Sequence, residues 1–158
     1  MQESKKIYMR EAIRLARENM LKGHGGPFGA VIVKSGQIIG RGWNKVTSAN
    51  DPTAHAEVEA IRQACQNLGT FELSGAEIYT SCEPCPMCLS AIYWARLDRI
   101  YFANTRTDAA QILFDDDLLY QEIQKKIEDR KIPMVALLRD EALGVFAEWQ
   151  KKSDKISY

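Results

Sequence analysis

The sequence predicts an α/β protein, a three-layer α/β/α domain around a mixed five-stranded sheet. Three observations carry that prediction. An apolar hairpin pattern occupies residues 28–43. After it, short β-branched runs alternate with segments whose apolar residues recur at helical spacing, the pattern of βαβ crossovers with parallel neighbours and helices on both faces. Finally, 158 residues with 46% apolar and 27% charged types suffice for one real core, so a single domain is expected over residues 1–158.

Each element has a local reason. Met9, Ala12, Ile13, Ala16 and Met20 stand at helical spacing among charges, and the glycines from Gly23 onward should stop that helix. Gly25-Gly26-Pro27 turns the chain into Phe28-Gly29-Ala30-Val31-Ile32-Val33, a buried strand. Lys34-Ser35-Gly36-Gln37 reads as a hairpin turn and residues 38–43 as the returning strand. Residues 44–52 read as a polar loop. A helix is expected over 53–68, with Val58, Ile61, Ala64, Cys65 and Leu68 as its apolar stripe and Gly69 as its stop. Strands are expected over 78–81, 100–102 and 134–138, and helices over 86–95, 107–113, 117–125 and 140–152.

Composition excludes several classes. No apolar run approaches the ~20 residues of a membrane span. Lysine plus arginine equals aspartate plus glutamate at 21 each, for a net charge of zero. Such balance disfavours a nucleic-acid partner. No apolar signal core follows the first charged residues, so a cytoplasmic location is expected. Four cysteines are too few for a disulfide scaffold, and three of them, Cys82, Cys85 and Cys88, lie within seven residues. In a reducing compartment that cluster points to metal or catalysis.

Two stretches carry chemistry: Thr53-Ala54-His55-Ala56-Glu57 and Cys82-Glu83-Pro84-Cys85-Pro86-Met87-Cys88. His55, Cys85 and Cys88 offer one imidazole and two thiolates, a three-ligand Zn²⁺ set with the fourth position open to water or hydroxide. Pro86 suits the first position of a helix, which makes Cys85 its cap and sets Cys88 on the same face. Glu57, two residues from His55, converges with it only if the metal lies off the helix N-terminus. A carboxylate there can move protons between water and substrate. H-x-E followed by P-C-x-x-C is the pattern of zinc nucleobase deaminases. Two other arrangements use the same residues. One is an iron–sulfur cluster that enlists Cys65, and the other a closed site of His55 with all three clustered cysteines. Neither gives Glu57 a task.

These residues resemble the cytidine-deaminase-like zinc superfamily and, within it, the bacterial guanine deaminases. The resemblance runs through Gly25-Gly26-Pro27-Phe28-Gly29-Ala30-Val31-Ile32-Val33, Asn50-Asp51-Pro52-Thr53-Ala54-His55-Ala56-Glu57 and Tyr79-Thr80-Ser81-Cys82-Glu83-Pro84-Cys85-Pro86-Met87-Cys88. It continues through Ala91-Ile92-Tyr93-Trp94-Ala95-Arg96, Thr107-Asp108-Ala109-Ala110 and Phe114-Asp115-Asp116 to Tyr158. The resemblance implies that His55, Cys85 and Cys88 hold one Zn²⁺ per subunit. It makes Glu57 the proton shuttle and Asp116 a second carboxylate that orients the purine and helps move protons. Phe28, Asn44, the Ala56 backbone and Trp94 would line the base pocket, and Tyr158 would close over it. It further implies a homodimer with a swapped C-terminal segment, and hydrolysis of guanine to xanthine and ammonia. Leu113 departs from the pattern, which expects glycine there.

The same residues have plainer readings. Phe28 and Trp94 suit a core, Asp115-Asp116-Asp117 suits a solvated acidic face or cap, and Asn44 suits a turn. A loop histidine such as His24 is expected to be solvated. Rival functions are a wobble-adenosine tRNA deaminase, a guanosine or cytosine-compound deaminase, and a noncatalytic module that keeps zinc as a staple.

Overall fold

Helix α1 (Gln2–Leu21) opens the chain and turns Ala12, Leu15 and Ala16 inward. In the computed structural model residues 2–158 are described, and they form two units, one running to Asp116 and one spanning Asp117–Tyr158. In the first unit β1 (Gly29–Lys34) and β2 (Gln37–Trp43) form the hairpin, followed by a short helix α2 (Val46–Ala49) inside the segment expected to be loop. Then come α3 (Ala56–Leu68), β3 (Ala76–Cys82), α4 (Pro86–Trp94), β4 (Arg99–Asn104) and α5 (Arg106–Gln111).

The sheet order is β2-β1-β3-β4. Strand β1 pairs antiparallel with β2 and β3, and β3 pairs parallel with β4 across the α4 connection. Strand alternation sorts the layers. Ala30, Ile32 and Ile78 point to one face and pack with Ala56, Ala60 and Ala64 of α3 and Ile92 of α4. Val31, Val33 and Tyr79 point to the other, against Leu15 of α1. The three-layer mixed α/β/α prediction therefore holds for this unit.

Helix α3 meets β2 along a seam of small residues. A Cβ built on Gly42 would lie 2.0 Å from the Ala56 carbonyl oxygen, and one on Gly40 would lie 2.4 Å from that of Ala60. Side chains cannot occupy that space, so two glycines two apart on the strand let the helix backbone come down onto the sheet.

The second unit contains α6 (Asp117–Gln124), a 3-10 turn (Ile127–Asp129) and α7 (Arg139–Lys151). It corrects one expectation: residues 134–138 are not a strand, and the sheet has four strands rather than five. Met134, Val135, Leu137 and Leu138 are 54–85% exposed, and Leu138 takes a left-handed φ of 55°. An apolar run becomes a strand only where a neighbour pairs its backbone N–H and C=O groups, and this one has no ladder partner. His24 is also corrected. It is half-buried, bonded to Asn19 at 2.9 Å and stacked on Trp43 with ring centroids 6.5 Å apart.

Candidate active site

Two helix N-termini meet on one side of the sheet. The approach to α3 is fixed by Asp51, whose Oδ1 accepts from the Thr53 backbone N–H at 2.8 Å and from its hydroxyl at 2.7 Å. The Lys45 N–H adds a bond to the Ala54 carbonyl at 2.9 Å. The helix begins at Ala56, which makes His55 the N-cap, with extended φ and ψ, and Glu57 the second helical residue. At α4, Cys85 is the N-cap, Pro86 the first residue and Cys88 the third.

His55 Nδ1 lies 3.6 Å from Cys85 Sγ and 3.5 Å from Cys88 Sγ, and all three ligand atoms fall within 4.8 Å of one another. A tetrahedral zinc with Zn–S near 2.3 Å and Zn–N near 2.05 Å sets sulfur and nitrogen about 3.6 Å apart. The donor set and its spacing therefore fit zinc. The two sulfurs divide the charge unequally. Hydrogen bonds from Cys88 and His55 hold the Cys85 thiol down to about 4. The Cys88 thiol is pushed up by sharing its proton with Cys85 and by burial.

Cys82 stays outside this triangle. Its buried thiol points to the Thr105 carbonyl at 3.6 Å, and burial pushes it up to about 11. Cys65, on α3, is likewise raised by burial. Among the described residues the metal-competent cluster is His55, Cys85 and Cys88 alone, so the four-cysteine and closed-site arrangements lack their fourth ligand.

Glu57 is 5% exposed. Its Oε1 accepts a hydrogen bond from Thr80 Oγ1 at 2.7 Å. Burial pushes its carboxyl above the ordinary range, and the Thr80 bond opposes that rise. Thr80 was not singled out from sequence. Its signal was present, because a hydroxyl sits two residues from Ile78 on the face that otherwise packs apolar side chains.

The remaining expected residues divide. Asn44 is 6% exposed, and its Oδ1 accepts from the Gly26 and Val46 N–H groups, each at 3.2 Å. That fixes the amide with its oxygen turned to these two N–H groups. A Cβ on Gly25 would lie 2.4 Å from Asn44 Oδ1, so glycine keeps this pose possible. Phe28 meets Phe114 edge to face, with centroids 4.9 Å apart. Asp116 is half-buried, and its carboxyl is raised by burial and then by the Cys85 charge. Ala56 is fully buried, and as the first helical residue its N–H has no intrahelical acceptor. Trp94 is not gathered in. It is 67% exposed beside Leu89, Ser90 and Tyr93, and stands roughly 9 Å along α4 from Cys88 and about 120° around it. Tyr158 lies in the second unit and is 73% exposed.

A sheet that delivers one imidazole and two thiolates to a common point, with a buried carboxylate alongside, defines a zinc-binding deaminase domain. The family model of the cytidine and deoxycytidylate deaminase zinc-binding region matches residues 2–104. Guanine deaminase of Bacillus subtilis (strain 168) is 52% identical over 151 residues, covering 96% of this chain and 97% of the relative. The X-ray structure of guanine deaminase from Bacillus subtilis superimposes with a TM-score of 0.94 at 51% identity, covering 97% of this chain and 98% of that one. The tRNA-specific adenosine deaminase of Aquifex aeolicus (strain VF5) is 42% identical over 99 residues, covering 63% of this chain and 65% of the relative. The chain belongs to the guanine deaminase family of zinc-dependent deaminases.

Proposed function

We propose that this chain hydrolyses guanine to xanthine and ammonia, with one zinc ion per subunit held by His55, Cys85 and Cys88. The observation that carries the substrate is the extent of likeness. The guanine deaminase relative matches over 96% of the chain at 52% identity, whereas tRNA-specific adenosine deaminase relatives match over 48–79% of it at 33–49% identity. Zero net charge supports the same choice, because a tRNA substrate needs a phosphate-binding face.

When held by His55, Cys85 and Cys88, zinc would supply a water acidic enough to attack C2 of the base near neutral pH. Glu57 would take one proton of that water and deliver it to N3, then take the proton of the new C2 hydroxyl and pass it to the amine, so that the C2–N bond breaks, ammonia leaves and the C2 carbonyl forms. Asn44 Nδ2 donates to an acceptor on the purine, and the Ala56 N–H is a second donor beside it. Asp116 reads the donors that guanine presents, N1–H and the exocyclic amine. Phe28 offers a flat face for the ring.

The second unit supports the dimer part of the proposal. Val135, Leu137, Val145 and Phe146 are 63–85% exposed in the single chain, more apolar surface in one segment than a free monomer ordinarily leaves. We read it as the segment that covers the partner's site in a homodimer, with Tyr158 closing over the base. The four described cysteines are all free thiols, which suits a cytoplasmic enzyme.

Ammonia release is to be measured on guanine, guanosine, adenine, cytosine and cytidine with the zinc-loaded chain, alongside Glu57→Gln. Guanine should dominate, and E57Q should keep zinc and lose turnover. Turnover of another member with none of guanine refutes the substrate; an active E57Q refutes the shuttle. For the swap, E57Q is mixed with a chain lacking Tyr158. Activity above either alone shows Tyr158 acting across subunits, and no gain refutes it.

A further inference from the structure

Strand β3 is one of the two interior strands of the sheet, and Thr80 sits in it opposite Ala30 of β1 and Phe102 of β4. Its side chain is fully buried on the face packed by Ile32, Ile78, Ala56 and Ala60. A hydroxyl among such neighbours costs free energy unless it is paired. The pairing here is to Glu57 Oε1, at 2.7 Å across 23 residues of sequence.

We infer that Thr80 is a positioning residue for the deamination, fixing the orientation in which the Glu57 carboxyl meets the water and the base. The inference rests on the reading of Glu57 as the shuttle. A carboxylate has two equivalent oxygens, and a proton relay between a water and a ring nitrogen needs one of them aimed at both. Thr80 donates to Oε1 across the strand–helix packing, so that oxygen is held as an acceptor and the tilt of the whole carboxyl is set with it. Two features make the donor rigid. The strand beneath it is paired on both sides, and a β-branched side chain has few rotamers. Serine or valine would each keep only half of this device, the hydroxyl or the branched shape.

The test is a pair of substitutions in the zinc-loaded chain with guanine as substrate. Thr80→Val keeps the shape and strand preference and removes the donor. Its kcat should fall about ten- to hundred-fold, the scale of a misplaced catalytic group, while KM stays within about two-fold and zinc content is unchanged. Thr80→Ser restores the donor and should recover most of kcat. Should T80V fail to bind zinc, Thr80→Ala against Thr80→Ser gives the same contrast, since those two differ only in the hydroxyl. A T80V enzyme with full zinc and wild-type kcat overturns the inference, as does T80S impaired as deeply as T80V or T80A. Glu57→Gln is run in parallel. If it still turns over, the shuttle reading falls and takes this inference with it; if it is inactive while T80V is normal, only the role of Thr80 falls.

Discussion

Replacing Gly42 by alanine should damage the active site from beneath. The new Cβ would stand 2.0 Å from the Ala56 carbonyl oxygen and 2.4 Å from the Ala60 nitrogen. Carbon and carbonyl oxygen approach to about 3.3 Å, so roughly 1.3 Å of separation must be found. Both obstructing atoms are helix backbone, and neither can swing aside as a side-chain tip would. Helix α3 must therefore lift at its first turn, where Ala56 stands between His55 and Glu57. Metal ligands tolerate about 0.2 Å, and catalytic misplacement by about 1 Å costs on the order of a hundred-fold. We expect G42A to lose zinc on dialysis that spares the parent, and its kcat to drop about a hundred-fold when zinc is resupplied. Overpacking costs about 1–3 kcal/mol, a fall in Tm of about 2–12 °C for a chain this long. Guanine turnover, metal analysis and calorimetry read the three quantities. Gly40→Ala is the control. Its Cβ would press on Ala60 and Ala64, at 2.4 and 2.8 Å, more than a turn beyond His55. It should destabilise comparably and cost less activity. A G42A protein with full zinc and normal kcat, or equal activity losses in the two variants at equal destabilisation, refutes the reasoning.

Cys82→Ser should retain zinc while Cys88→Ser loses it, since Cys82 bonds Thr105 and lies outside the ligand triangle; metal loss from C82S would restore the four-ligand site. Glu11 accepts from Arg14 at 2.8 and 2.9 Å and from Arg41 at 3.0 Å, which holds its carboxyl down to about 2 from 4.5. A folded value below the unfolded one stabilises above about pH 4.5, and that contribution drains away as the pH falls toward 2. Both arginines are nearly half exposed, so about 1 kcal/mol is expected after screening. The stability gap between wild type and Glu11→Gln should thus narrow from pH 7 to pH 3 in urea titrations, and a constant gap refutes the assignment. Leu113 has a left-handed φ of 70° and is 92% exposed. Leu113→Gly should therefore leave stability level or raise it by up to about 1 kcal/mol despite the extra chain entropy. A loss above that size would mean that the side chain packs against something.

The zinc ligands were legible because a metal restricts residue type and because helix starts are punctuated by proline and by loop-to-helix changes. His55 and Cys85 show both. Asn44 and Asp116 could be named only through family likeness, since an amide after a strand and an acidic run have many ordinary uses. The direction of the Asn44 amide was not legible at all, as it depends on N–H groups of Gly26 and Val46 arriving from two different turns. The supposed fifth strand failed for a comparable reason. Residues 134–138 have strand-like composition, but pairing is decided by whether another strand offers an edge, which no local pattern records. Leu113 is the converse case. The expectation of glycine there came from likeness alone, and the positive φ supplies its physical ground.

The two ligand-bearing helices also explain why the site needs its metal. His55 and Cys85 occupy N-cap positions, and neither makes a side-chain capping bond. Helix α5 shows what this chain does when a cap serves structure alone: Thr105 and Asp108 form a complete capping box. Serine or aspartate at positions 55 and 85 would stabilise each helix by about 1 kcal/mol. The sequence forgoes that at both helices whose N-termini converge, leaving two positive helix ends facing one point. Thiolates there would offset the helix potentials, and a cation held by them would offset the mutual repulsion of the sulfurs. Binding of a cation there would then also be folding free energy for the two helix starts, so the arrangement that holds the metal and the one that finishes the fold are the same.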